Sequence, residues 1–342
     1  MITAALPGPQ PIAERDAVDA EIFAREVLPG YRPVVLRRQV ANWPAVAAGS
    51  RGPRAAATYL TRFAGQKAAD VMIGPPEVAG RFFYAEDVRG FNFARRQVPL
   101  SVLIAQLMKL ADQPDGYSLY AGAAAADDHL PGWAGENGLG LPLPGARARV
   151  WIGNKSHIST HYDVSDNIAC VVAGRRRFTL FPPEQIDNLY IGPLDVTVAG
   201  QPASMVDLTA PDLERYPRFI EAMRHALSAE LEPGDAIFIP ALWWHDVQAL
   251  GSLNVLVNYW SEPSDGVSPF PALIHALMAV RDLPAPEKAA WRAWFDHYVF
   301  ADNAVMRPAE HLPDHARSIL GPASPGRTAR LLHFLQRALG PS

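Results

Sequence analysis

Between residues 147 and 262 the chain is broken into short β-rich runs separated by proline and glycine: "RARVWIG", "NIACVVAG", "RRFTLFPP", "DAIFIPA" and "LNVLVNYW". Runs of this length, rich in branched and aromatic residues and closed by turn formers, read as strands of an antiparallel sandwich or barrel. The flanks have a different texture. Residues 15 to 29 and 98 to 112 carry apolar side chains at helical spacing, and "RPVVLRRQV" between them reads as a strand, so the first part is mixed α and β. The stretch from 184 to 230 interrupts the strands with a polar, partly helical excursion, expected as an insertion over one end. After 266 the strands stop, and "PEKAAWRAWFDHYVF" places Trp291, Trp294, Phe295 and Tyr298 at i, i+3, i+4 and i+7, the stripe of an amphipathic helix. The expected fold is mainly β with flanking helices. It divides into N-terminal helices and strands (1–146), a β core with its insertion (147–262) and a C-terminal helical region (263–342). The stretches 113–146 and 320–327, rich in Gly, Pro and Ala, read as loops.

Composition narrows the partners. Thirty-one basic residues against thirty-five acidic ones leave a net charge of −4, and no long basic run is present to track a phosphate backbone. Nucleic acid is therefore not expected as the main partner. The N-terminal "MITAALPGPQPIAER" lacks a charged segment followed by an apolar core, and no eighteen apolar residues run unbroken, so the expectation is a soluble protein without a secretory signal or membrane span. The single cysteine, Cys170, excludes an internal disulfide framework and a cysteine-based zinc site. It fits the reducing cytoplasm, where ferrous iron is also available.

The β region contains "HYDVSDN", residues 161–167. Alternate side chains of a strand share a face, so His161 and Asp163 can bite one metal ion together. A second histidine from a distant strand completes such a site, and "ALWWHDVQAL" supplies His245 directly after the run "DAIFIP". Two imidazoles and one carboxylate form the facial triad that leaves three neighbouring positions open on Fe(II). With ten histidines and thirty-five acids in the chain, H-x-D alone also arises by accident, so an ordinary solvated pair competes with a ligand pair. His157 and His161 stand four apart, a spacing used by helical zinc proteases. "HISTH" lacks their glutamate, and its Ile, Ser and Thr disfavour a helix, which leaves His157 as a surface residue or a support for the ligands.

Together, "THYDVSDNIACVVAGRRRFTLFPPEQIDNLY", "LEPGDAIFIPALWWHDVQAL" and "LNVLVNYW" resemble the cupin-like JmjC family of Fe(II)- and 2-oxoglutarate-dependent oxygenases, whose members include the asparaginyl hydroxylase acting on hypoxia-inducible factor. The resemblance spans residues 15 to 262. It implies a double-stranded β-helix, a jelly roll of eight strands, with helices outside it and C-terminal helices that often form a homodimer. It carries the iron ligands onto His161, Asp163 and His245. It also asks for a cation to hold the C5 carboxylate of the co-substrate 2-oxoglutarate; many relatives use lysine, and Arg176 stands in that place here. A guanidinium grips a carboxylate through two parallel hydrogen bonds, so the charge logic survives. By alternation Arg175 and Arg177 face the other way, toward solvent. Asn167 and Asn258 stand where relatives bond the co-substrate or order the site, and Tyr120, in preference to Tyr117, completes the pocket. Relatives use a hydroxyl just before H-x-D; this chain has Ile158 there, with Ser159 and Thr160 adjacent. Trp243, Trp244 and Trp260 are expected to be core, Trp151 and Tyr162 to line the mouth, and the C-terminal aromatic stripe to be an internal core or a dimer face. The implied activity is hydroxylation of a protein or peptide side chain, or demethylation through an unstable hydroxymethyl group. The alternatives are an oxygenase of a small molecule or modified RNA base, and a non-catalytic metal-binding cupin.

Overall fold

Eight strands fill the expected β stretch: β1 (Ala148–Gly153), β2 (Ser156–His161), β3 (Asn167–Ala173), β4 (Arg176–Phe181), β5 (Leu227–Leu231), β6 (Ala236–Ile239), β7 (Trp244–Ala249) and β8 (Asn254–Trp260). The computed structural model describes residues 6–111, 113, 116–198, 200–261 and 267–339. The strands pair antiparallel in two sheets, in the orders β5-β4-β7-β2 and β6-β3-β8-β1. This is the jelly roll that the motifs imply. N-terminal strands extend both sheets. Gln10–Pro11 and Arg81–Phe82 flank the first; Ala13–Asp16 and Val34–Arg37 lie beyond β6, and Ser118–Ala125, Ala68–Gly74 and Ala94–Pro99 lie beyond β1.

Strand β3, "NIACVVA", is apolar along its length because both of its faces are covered. Ala169 and Val171 point into the barrel, where they meet Phe178, Leu180, Ile237, Val247 and Leu256 from both sheets. Ile168, Cys170 and Val172 point outward onto a second core built with Val46, Leu60, Leu103, Ile104 and Leu107 of the helices Pro44–Ser50, Pro53–Thr61 and Leu100–Leu110. Gly49 permits that close approach, since a Cβ there would lie 1.9 Å from the Val172 carbonyl oxygen. Gly174 closes the β3–β4 hairpin at φ +76°, and a Cβ there would strike Asn254 Oδ1 at 2.2 Å.

Several boundaries differ from expectation. Residues 113–146 are not all loop: Ser118–Ala125 is a strand paired to β1 and to Ala68–Gly74, and Trp133 beyond it is fully buried. Its sequence, "SLYAGAAA", has weak intrinsic β preference, and pairing on both edges overrides it. The excursion from 184 ends before 230, because β5 begins at Leu227. Residues 15–29 are helical only from Ala20, since Ala13–Asp16 pairs in parallel with Val34–Arg37. A helix, Pro325–Leu339, starts inside the expected loop 320–327, where Ser324 Oγ accepts from the Arg327 N–H at 3.2 Å. Residue 112 and residues 114–115, the end of one expected helix and the start of one expected loop, lie outside the described residues.

Contacts divide the chain into two units, Met1–Glu262 and Pro263–Ser342. The second consists of helices Phe270–Ala279, Ala285–Phe295 and Pro325–Leu339 with short turns between them. Its stripe packs on itself, with Trp291–Trp294 and Trp294–Tyr298 ring centroids 6.0 and 5.8 Å apart. Trp294 remains 60% exposed, so this stripe is not a buried core. Among the described residues no helix is long and apolar enough to cross a membrane.

Candidate functional site

The barrel core floors a cavity of about 250 Å³ whose lining includes His161, Asp163, His245, Arg176, Asn167, Asn258 and Tyr120. The structure thus brings together every residue singled out from the sequence as ligand or co-substrate contact. His161 ends β2 and His245 stands opposite it on β7, with ring centroids 4.3 Å apart. Asp163 follows in the loop. Ligand atoms of the three lie within 4.8 Å of one another, close enough to share one metal ion.

Each imidazole is oriented by backbone two residues behind it. His161 Nδ1–H donates to the Ser159 carbonyl and His245 Nδ1–H to the Trp243 carbonyl, both at 3.0 Å. That tautomer leaves each Nε2 lone pair for a metal. Burial, reinforced by the neighbouring His245, pushes His161 down to about 4, so its ring is neutral at neutral pH. The carboxylate is oriented as well: Asp163 Oδ2 accepts from Trp260 Nε1 at 2.9 Å and from Asn167 Nδ2 at 3.2 Å. Asn258 Nδ2 in turn donates to Asn167 Oδ1 at 3.0 Å.

Arg176 is the contrasting member. It is 1% exposed, and among the described residues no carboxylate pairs with it. Its Nε and Nη2 have no hydrogen-bond partner. Burial pulls the guanidinium down, and the adjacent Tyr120 hydroxyl works the other way. Six described side-chain atoms are buried without a partner, and four of them, on Arg176, Trp151 and Asn258, belong to residues lining this cavity. Three of those four are donors, and an anion bound among them would satisfy them. Arg175 and Arg177 face away and pair with Glu230 on the outside of the sheet.

The family model for the cupin-like domain matches residues 19–266, well over half of the chain. The chain belongs to the cupin-like domain family. Its relatives name JmjC hydroxylases and demethylases among them, and this chain is of that JmjC type. It is 40% identical over 116 residues to tRNA wybutosine-synthesizing protein 5 of Danio rerio (32% of this chain, 32% of the relative). It is 36% identical over 121 residues to HSPB1-associated protein 1 of Homo sapiens (34% and 24%). It is also 29% identical over 272 residues to the human bifunctional peptidase and (3S)-lysyl hydroxylase JMJD7 (70% and 79%). For the first two, the match covers a third or less of the relative's own length.

Around the cupin-like barrel the aromatic residues fall into place differently from one another. Trp243 packs in the barrel core, and Trp244 packs on Tyr162 at 4.8 Å in a separate cluster. Tyr162 is therefore not at the mouth. Trp151 does line the cavity, against Tyr120 at 5.8 Å and Trp260 at 5.7 Å. Trp260 is half-buried and does more than fill space, because its indole N–H holds Asp163. The sequence signal for this was the register of N-x-W, which pairs Trp260 with Asn167 across β8 and β3. Ile158 lines the wall where relatives place a hydroxyl; Ser159 and Thr160 are not among the lining residues. His157 is not a surface residue: it is buried, with Nε2 2.8 Å from Asp246 Oδ2.

Proposed function

We propose that this cupin-like domain is an Fe(II)- and 2-oxoglutarate-dependent oxygenase that hydroxylates a protein or peptide side chain. The observation that carries the reading is the buried, unpaired guanidinium of Arg176 in the same cavity as the triad. A non-catalytic metal-binding cupin has no use for such a cation, whereas a dicarboxylate co-substrate supplies its missing partner. His161, Asp163 and His245 would hold the metal, and Arg176 with Tyr120 would hold the distal carboxylate. Iron and 2-oxoglutarate, when bound, supply the oxidative chemistry: dioxygen is consumed, the 2-oxoacid yields succinate and CO2, and a substrate C–H becomes C–OH. The chain's residues orient these groups. Nδ1–H contacts fix both imidazoles, the Asn258–Asn167 relay and Trp260 fix Asp163, and Trp151, Ile158 and Leu256 keep the cavity apolar around them.

The lysyl hydroxylase named among the relatives matches 70% of this chain and favours a protein substrate. The tRNA-modifying relative supports a second reading, a modified RNA base, against which the net charge of −4 weighs. A cytoplasmic setting suits ferrous iron, and the exposed stripe of Trp291, Trp294 and Tyr298 suits a homodimer face in the C-terminal unit. Succinate release by the iron-loaded protein, measured across panels of peptides, tRNA fragments and small metabolites, tests the assignment. Stimulation by a peptide is expected; stimulation by tRNA or a metabolite alone replaces the substrate class. Absence of Fe(II)-dependent 2-oxoglutarate binding overturns the activity.

A further inference from the structure

Strict alternation along β2 would put Ile158 and His161 on opposite faces, yet both line the cavity. The pairing of β2 with β7 explains this. Val247 stands opposite Ile158 and His245 opposite His161, so the single residue Asp246 faces two, Ser159 and Thr160. This is a β-bulge, and its extra residue turns His161 inward. The bulge also supplies the Ser159 carbonyl that accepts from His161 Nδ1–H.

Behind the bulge, on the outer face of the sheet, lies a buried polar cluster. Asp246 is 1% exposed although it follows a ligand in a strand whose neighbours are apolar. Its Oδ2 accepts from His157 Nε2–H at 2.8 Å, before the bulge, and from Thr160 Oγ1–H at 3.4 Å, within it. Gln248 Nε2 reaches Oδ1 at 3.4 Å, and Arg81 Nε donates to Ser159 Oγ at 3.3 Å. One buried carboxylate therefore ties the residue before the bulge to the residue inside it.

We propose that Asp246, through His157 and Thr160, is a positioning residue that locks this bulge and so holds His161 opposite His245 in the tautomer a metal requires. The proposal rests on the metal-site reading above for its purpose, but the bulge geometry stands without it. A buried carboxylate with several donors is worth its desolvation only where its geometry is fixed, and side chains behind metal ligands typically change metal affinity by about 10- to 100-fold when removed.

Two readouts test it. Co(II) binding, by calorimetry and by its visible spectrum, should weaken about 10- to 100-fold in Asp246→Leu and by less in Thr160→Val, with partial recovery in Asp246→Asn, which keeps an acceptor. Leu103→Ala, in the core of helix Leu100–Leu110, serves as a destabilised control whose Co(II) affinity and spectrum should not change. Imidazole 15N shifts of the metal-free protein, assigned with His161→Gln, should show the Nδ1–H tautomer at His161 and a tautomer mixture in Asp246→Leu and Thr160→Val. An unchanged tautomer in both variants overturns the lock, as does an equal loss of Co(II) affinity in Leu103→Ala. A wild-type protein that binds no Co(II), yet loses its tautomer preference in the variants, keeps the lock and overturns the metal reading instead.

Discussion

At the triad, every polar side chain has its partner already: both imidazoles donate to backbone carbonyls, and Asp163 accepts from Trp260 and Asn167. At Arg176, in the same cavity, Nε and Nη2 have none. The first region is preorganised by the fold, and the second is left incomplete. A buried unpaired charge costs several kcal/mol after relaxation, so an incomplete region persists where a ligand's binding offsets that cost. One end of the cavity should therefore respond to mutation through geometry, and the other through charge.

The largest effect is expected at the triad. Asp163→Ala removes a ligand from an arrangement whose supports remain, so Fe(II) affinity should fall by more than about 100-fold, beyond what loss of a supporting contact produces. Metal analysis after dialysis, with circular dichroism to confirm the fold, reads this directly. Retained stoichiometry would mean that the three side chains do not share an ion.

Arg176 comes next. Truncating one partner of a buried charged pair typically costs about 2 to 5 kcal/mol, and each 1.4 kcal/mol is about a decade in affinity. Arg176→Ala should raise the 2-oxoglutarate concentration needed for turnover by tenfold or more. Arg176→Lys should restore part of it, since lysine keeps the charge and gives up the second hydrogen bond. Arg175→Ala, on the solvent side, should do little. An unaffected Arg176→Ala enzyme would place the carboxylate elsewhere.

The same residue should behave oppositely without ligand. Arg176→Met replaces an unsatisfied buried cation by an apolar chain of similar length, so the ligand-free protein should be unchanged or stabilised, by about 1 to 3 kcal/mol. Thermal unfolding with and without 2-oxoglutarate separates the cases: the wild type gains stability from the ligand and the variant does not. A ligand-free variant that unfolds earlier than the wild type would show that Arg176 is structurally satisfied after all.

These contrasts also mark what a single sequence can show. The eight barrel strands were legible because β-rich runs and Pro/Gly punctuation survive in any context, and the triad and Arg176 were legible because H-x-D, the strand-end histidine and the cation after the hairpin stand at recognisable spacings. Ser118–Ala125 was not, because its alanines and glycine gain their strand only from neighbours on both edges. Nor was the bulge. Alternation put His161 and Asp163 on one face of a strand, whereas β2 ends at His161 and the extra residue before it sets the direction of that ring. Register depends on how two distant strands meet, and the buried pair of His157 and Asp246 unites residues 89 apart in the chain.

The smallest effect concerns how redundant the preorganised end is. Asp163 Oδ2 has two donors, so losing one leaves the other to hold it. Trp260→Phe keeps most of the aromatic packing against Trp151 and deletes only the indole N–H. Supporting contacts of this kind are worth about 10- to 100-fold in metal affinity when they act alone, and with Asn167 still in place the loss should sit at or below about tenfold. Asn167→Ala should cost more, because it removes its own donor and strips Asn258 Nδ2 of its acceptor in one step. The double variant should lose more than the sum of the two in free energy, as expected when two donors back each other up. Fe(II) titrations of the three variants read this out. Strict additivity would show that each donor acts independently on Asp163, and a Trp260→Phe loss as large as that of Asp163→Ala would show that the indole, not the carboxylate's own placement, decides whether this end of the cavity holds a metal.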